Sequence, residues 1–128
     1  MFSSQDKLFM QRAIELAKES FDDGEVPVGA VIVQNETIIG EGKNKVIFEN
    51  DVTSHAEINA IRAASKKIKN YRLNDCSMYV TLEPCHMCAK AAVDARMSSV
   101  IFAASEPKTG SIISIDNFFD KKELNHNP

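Results

Sequence analysis

Between residues 4 and 22 the apolar positions Phe9, Ala13, Leu16, Ala17 and Phe21 recur at helical spacing. Ser3 or Ser4 suits the start of that helix, and Gly24 suits its stop. The β-branched runs "VPVGAVIV" and "TIIGEG" then flank "QNE", a pattern that predicts a hairpin. "NKVIFENDVT" predicts a loop. Residues 54–69 predict a second helix, with Ala60, Ile61, Ala64 and Ile68 on one face. "CSMYVTL" predicts a buried strand. Pro84 follows it, where proline suits a helix start, and residues 85–96 form a short Ala-rich helix. "SVIFAA" is almost wholly apolar, as a strand covered on both faces should be. "SEPKTGS" predicts a loop, and residues 112–124 a short helix. The order α-β-β-α-β-α-β-α implies right-handed crossovers and a layered α/β sheet.

The 128 residues fit one domain, 1–128, long enough for a hydrophobic core. No apolar run is long enough to span a membrane, and "MFSSQDKLFM" lacks a signal-peptide pattern. A soluble, cytoplasmic protein with no membrane partner is therefore expected. The net charge of −3 gives no general attraction for nucleic acid, so any RNA contact needs a local basic surface.

Three cysteines are an odd number, and two of them lie three apart in "EPCHMC". In a reducing compartment this spacing favours metal binding or catalysis over a disulfide frame. Cys85 and Cys88 share a helix face at i and i+3, in a first turn whose free N–H groups stabilise thiolates. His86 lies about 100° around the helix from Cys85 and points elsewhere. Thioredoxin-like redox chemistry and a four-ligand structural knot recruiting Cys76 or His86 are the alternatives. Cys76, at the far end of its strand, reads as a core residue, and His126 has no assigned role. A third ligand is available in "SHAEI", where His55 also opens a helix. Zinc held by His55, Cys85 and Cys88 keeps a fourth position open for water. Glu57 can serve as the base beside it; its alternative reading is a capping box with Ser54.

"HAE" followed by "PCHMC" resembles the zinc-dependent cytidine deaminase superfamily, whose nucleobase deaminases carry His-x-Glu and Pro-Cys-x-x-Cys. "GEVPVGAVIV", "HAEINAIRAA", "NYRLND", "MYVTLEPCHMCAKAAVDAR" and "EPKTG" sharpen this to a resemblance to the bacterial tRNA-specific adenosine deaminases, from about Leu8 to about His126. The resemblance implies a three-layer α/β/α cytidine deaminase-like fold, its mixed sheet having the first strand antiparallel. It implies one Zn2+ per chain on His55, Cys85 and Cys88. Glu57 would move protons while water activated by the metal attacks the ring carbon bearing the amino group. Asn44 aligns with an asparagine that binds the purine. The implied reaction is conversion of adenosine to inosine at the anticodon wobble position of tRNA. Deamination of a free purine such as guanine, or non-catalytic zinc binding, are the alternatives.

The family pattern also implies a homodimer, to which the small-residue run "AKAAVDAR" would contribute close helix packing. Lys43, Lys45, Lys66, Lys67, Lys69 and Lys108 are candidates for the basic surface facing an anticodon loop. Three features depart from the family. His86 stands between the cysteines, Ser105 and Glu106 stand where an Arg-Asp pair is typical, and the chain stops at Pro128. The stop predicts a sheet lacking the family's last strand and C-terminal helix, and so an exposed edge.

Overall fold

The computed structural model describes residues 3–128. Helix α1, Ser4–Asp22, starts as its sequence demands: the Ser3 hydroxyl accepts the Asp6 N–H and the Asp6 carboxylate accepts the Ser3 N–H. Strands β1 (Gly29–Gln34) and β2 (Thr37–Lys43) form the hairpin, with Asn35 and Glu36 both at positive φ in its turn. The expected loop contains a single turn of helix, α2 (Val46–Glu49). Then follow α3 (Ala56–Ile68), β3 (Cys76–Leu82), α4 (His86–Asp94) and β4 (Ser99–Ala104).

The sheet runs β2-β1-β3-β4. β1 is antiparallel to both neighbours, while β3 and β4 are parallel, so the sheet is mixed as expected. Alternation along the strands separates two cores. Val31, Val33 and Tyr79 meet Leu16 of α1 on one face. Ala30, Ile32, Met78 and Val80 meet the alanines of α3 and α4 on the other, together with Met97. Helix, sheet and helices make three layers.

The α3 layer lies unusually close to β2. A Cβ at Gly42 would sit 2.2 Å from the Ala56 carbonyl, and one at Gly40 would sit 2.6 Å from the Ala60 carbonyl. The helix faces these glycines with Ala56, Ala60 and Ala64, so small residues on both sides set the start of α3 against the end of β2. A bulge, at which Ile32 opposes Gly40 and Val33 opposes Ile38, turns Ile39 as well as Gly40 toward that helix face.

Three expectations are corrected. Residues 112–124 form turns and one short 3-10 helix, Phe118–Asp120, instead of an α-helix. The amides past 114, which a helix would pair with carbonyls four residues back, bond elsewhere: the Ile115 N–H donates to the Gly110 carbonyl, the Asn117 N–H to the Asp116 carboxylate and the Phe118 N–H to the Ser111 carbonyl. Phe21 is 68% exposed, because the last turn of α1 is covered through Ser20, whose hydroxyl donates to the Asn44 carbonyl. β4 is only half-buried: it lies at the edge of the sheet, and neither face is fully covered.

Candidate active site

Two helix starts meet at one end of the sheet. His55 is the N-cap residue of α3 and Cys85 the N-cap residue of α4, both with extended backbone. Cys88 follows in the first turn of α4 and is buried. The crossover from β2 through α3 to β3, and from β3 into α4, sets the two helix N-termini side by side. His55 Nδ1 lies 3.7 Å from Cys85 Sγ and 3.5 Å from Cys88 Sγ. A tetrahedral zinc with Zn–S of about 2.3 Å and Zn–N of about 2.0–2.1 Å has S···N edges of about 3.5–3.6 Å. Both S···N edges thus already match such a site, and all three donor atoms lie within 4.8 Å of one another. They are the one group of three or more His, Cys, Asp or Glu side chains able to hold a metal ion among the described residues.

Charge at the site follows from this crowding. The adjoining Cys88 thiol lowers the Cys85 thiol to about 5; the first-turn amides of Cys88 and Met87 and the His55 ring also lower it, against the cost of burial. Cys88 is pushed up by Cys85, by burial and by Glu57, in the direction opposite to its neighbour. A divalent cation would favour both as thiolates. Burial drives Glu57 up to about 7; the Cys85 charge adds to the rise, while its own backbone N–H, His55 and Cys88 oppose it. The side chain is 4% exposed and faces the same pocket as His55 and Cys85.

The capping reading of Glu57 fails on register. A box with Ser54 needs Ser54 at the N-cap, but His55 holds that position. The Ser54 hydroxyl instead donates to Glu49 and accepts from Asn59 Nδ2, whose amide also donates to the Lys43 carbonyl at 2.9 Å. Asn59 thereby ties the loop before α3 to the end of β2.

His86 is outside the donor group. Its side chain is 47% exposed, Nε2 is 2.9 Å from Asp116 Oδ2, and the ring packs edge-on against Phe118. It fastens α4 to the C-terminal turns. His86→Ala is therefore expected to retain full metal occupancy, measured by elemental analysis of the purified protein; an emptied site would return His86 to the ligand set. Cys76 is a fully buried free cysteine at the far end of β3, as expected of a core residue. His126 bonds the Met97 carbonyl and packs the tail down.

The pocket over the donor group measures about 360 Å³ and is lined by Val28, Asn44, Ile47, Leu82, Glu106 and Thr109, among others. Asn44 is buried, held by its backbone to Val28 and Ser20; its side-chain amide makes no hydrogen bond among the described residues and remains available at the wall. A cavity of equal size between α1 and β4, lined by Met10, Ile14, Ile101 and Phe102, carries no such chemistry.

Two carboxylates escaped the sequence reading. Glu25, 6% exposed, accepts the Ile47 and Phe48 amides at 3.0 and 2.8 Å and so creates the α2 turn. Glu83, 3% exposed, accepts four backbone amides and the Ser114 hydroxyl. Burial alone would raise its pKa; the Ser114 hydroxyl and the amides of Ile113, Ser114 and Glu106 reverse that and hold it at about 2. The available signal was an acid placed inside an apolar run in "GEVPVG" and "TLEPC".

The basic surface is smaller than expected. Lys43 is taken by Asp23 at 3.1 Å and Glu19 at 3.3 Å. Lys66, Lys67 and Lys69 lie at the C-terminal end of α3, whose 13 residues carry them about 20 Å from His55. Lys45, adjoining Asn44, and Lys108, between Glu106 and Thr109, are the two near the pocket mouth.

A helix-flanked mixed sheet with His, Cys, Cys and a buried glutamate at two helix starts defines a cytidine deaminase-like architecture. The sequence profile of the MafB19-like deaminases matches residues 3–127. The tRNA-specific adenosine deaminase of Haemophilus influenzae is 49% identical over 125 residues, spanning 97% of this chain and 72% of that one. A solved structure of a tRNA:A34 deaminase superposes with a TM-score of 0.92 at 39% identity, covering 95% of this chain and 94% of that one. A guanine deaminase from Bacillus subtilis, also 39% identical, superposes with a TM-score of 0.76 over 95% of this chain and 81% of its own. The chain belongs to the MafB19-like deaminase family, and within it to the tRNA-specific adenosine deaminases.

Proposed function

We propose that this protein deaminates adenosine to inosine at the wobble position of a tRNA anticodon, with one Zn2+ held by His55, Cys85 and Cys88. The observation that carries the chemistry is Glu57: a buried carboxylate, pushed up to about 7, beside a metal-spaced donor group at the floor of an open pocket. A structural metal knot has no use for it. When bound, zinc supplies the Lewis acidity that makes water a nucleophile near neutral pH. Glu57 takes a proton from that water and gives it to the purine ring nitrogen. It then carries the second proton to the amino group, which leaves as ammonia; water and adenosine become inosine and ammonia, with Glu57 restored. Asn44 presents its amide to the purine edge. A single-stranded loop splays its base into the pocket for only a few kcal/mol of unstacking.

The substrate class is tested by ammonia release from an anticodon stem-loop, guanine, adenosine and cytidine in parallel. The stem-loop is expected to react, with a KM that rises only modestly with salt, as a few phosphate contacts dictate, and that is higher in Lys45→Ala and Lys108→Ala. Efficient turnover of guanine or free adenosine, with the stem-loop untouched at low salt, would replace the RNA reading with a free-purine one. No helix among the described residues is long and apolar enough to cross a membrane. A tRNA substrate and three free cysteines suit a reducing cytoplasm.

The enzyme acts as a homodimer in this reading. Ala89, Ala92 and Val93 of "AKAAVDAR" are buried in this chain's own core. A second copy therefore seats on the apolar residues beside the pocket: Ile47, Phe48 and Val52, which are 68%, 79% and 79% exposed. Sedimentation should give a dimer that Phe48→Glu converts to monomer; a monomer across micromolar concentrations would count against it.

A further inference from the structure

The chain from Glu106 to Ser114 has no helix or strand to order it, yet Glu106 and Thr109 form part of the pocket wall. We propose that Glu83 is a positioning residue for the substrate: its buried carboxylate gathers this segment and holds it as one wall of the pocket. The inference rests on the deaminase reading of that pocket and adds a residue to it.

The contacts are specific. Glu83 Oε1 accepts the Glu106 N–H at 3.2 Å and the Ser114 hydroxyl. Oε2 accepts the N–H groups of Ile112, Ile113 and Ser114 at 3.0, 2.8 and 3.0 Å. Both ends of the segment thus converge on one side chain. Gly110 lies so close that a Cβ there would sit 2.4 Å from Glu83 Cδ. The Ser111 N–H and hydroxyl add bonds to the Pro84 carbonyl. None of these partners is a metal-donor atom, so the carboxylate acts on the wall and not on the ligands. It also acts from the stretch that carries Cys85, which registers the wall against the floor of the pocket.

All five partners donate, which is why the side chain must be a carboxylate. In Glu83→Gln the amide nitrogen has to face donors. It fits best at the Oε1 position, where the Ser114 hydroxyl can turn to accept and only the Glu106 N–H is left opposing another N–H. The variant therefore frees the Glu106 end and leaves residues 112–114 attached.

Glu83→Gln and Ser114→Ala are compared with wild type for zinc content, for amide hydrogen exchange, and for kcat and KM with an anticodon stem-loop and with guanine. The expected result for Glu83→Gln is one zinc per chain, faster exchange at Glu106 than at Ile112–Ser114, KM raised about tenfold or more, and kcat nearly unchanged. Ser114→Ala moves KM the same way by less. Faster exchange with unchanged KM would reduce Glu83 to a folding role, and loss of zinc would assign it to the metal site; either overturns the proposal. If Glu83→Gln is not recovered folded, Ser114→Ala decides: a raised KM supports the wall and an unchanged one refutes it. A wild-type protein that acts on guanine but not RNA refutes the tRNA reading separately, and KM for guanine then decides the role of Glu83.

Discussion

Glu57→Ala yields a folded protein that still binds one zinc and whose turnover falls by a factor of roughly 100 to 10,000. The side chain bonds no cap and lies buried at the pocket floor, so its removal takes away a proton carrier and little else. A capping glutamate would behave oppositely, costing about 0.5–2 kcal/mol of stability with chemistry intact. Burial raises this carboxylate, and removing it relieves that cost, so thermal stability is expected to hold or rise. Single-turnover inosine formation alongside elemental analysis makes the measurement. Substantial activity in a zinc-loaded, folded Glu57→Ala protein would sink the proton-transfer role.

Removal of the metal has the second large effect. Cys88→Ala or exhaustive chelation abolishes turnover, and zinc restores the chelated protein but not the variant. Stability falls as well, because the donor group joins the starts of α3 and α4, which otherwise touch little. A ligand present at about a thousand times its Kd stabilises by about 4 kcal/mol, which at this size corresponds to roughly 10–20 °C in Tm. Calorimetry of the apo and zinc-loaded forms gives the difference directly. An apo protein with unchanged Tm and activity would contradict the assignment of His55, Cys85 and Cys88 as the zinc site.

The RNA-facing chemistry is narrower than the lysine content suggested. Charges that line up as candidates along the chain are redistributed by folding. Lys43 is consumed by Glu19 and Asp23, and the Lys66–Lys69 group is carried to the far end of α3. Lys45 and Lys108 remain near the mouth, consistent with an electrostatic contribution of only a few phosphate contacts.

Local pattern determined much of this protein. Helical periodicity in residues 4–22 and 54–69, alternation in the hairpin and the apolar "CSMYVTL" place α1, α3 and β1 to β3, because each signal is generated within one element by the face it buries. His55, Glu57, Cys85 and Cys88 were legible for a related reason: sulfur, imidazole and carboxylate at helix starts are chemically conspicuous in sequence. Tertiary structure alone decided what depends on partners distant in the chain. Residues 112–124 read as a helix in the sequence, but Glu83, some thirty residues earlier, gathers the amides of 112–114, and the Phe118 N–H bonds Ser111, seven residues back, so the chain runs in turns. Glu25 makes a helical turn from an expected loop by the same means, more than twenty residues away. Ser54 and Glu57 have capping-box spacing, yet the close approach of Gly42 to Ala56 seats α3 with His55 at its N-cap, which frees Glu57 for the pocket. In each case a long-range hydrogen bond or backbone contact outweighs a local preference, because a buried polar group left without a partner costs more than an unformed turn.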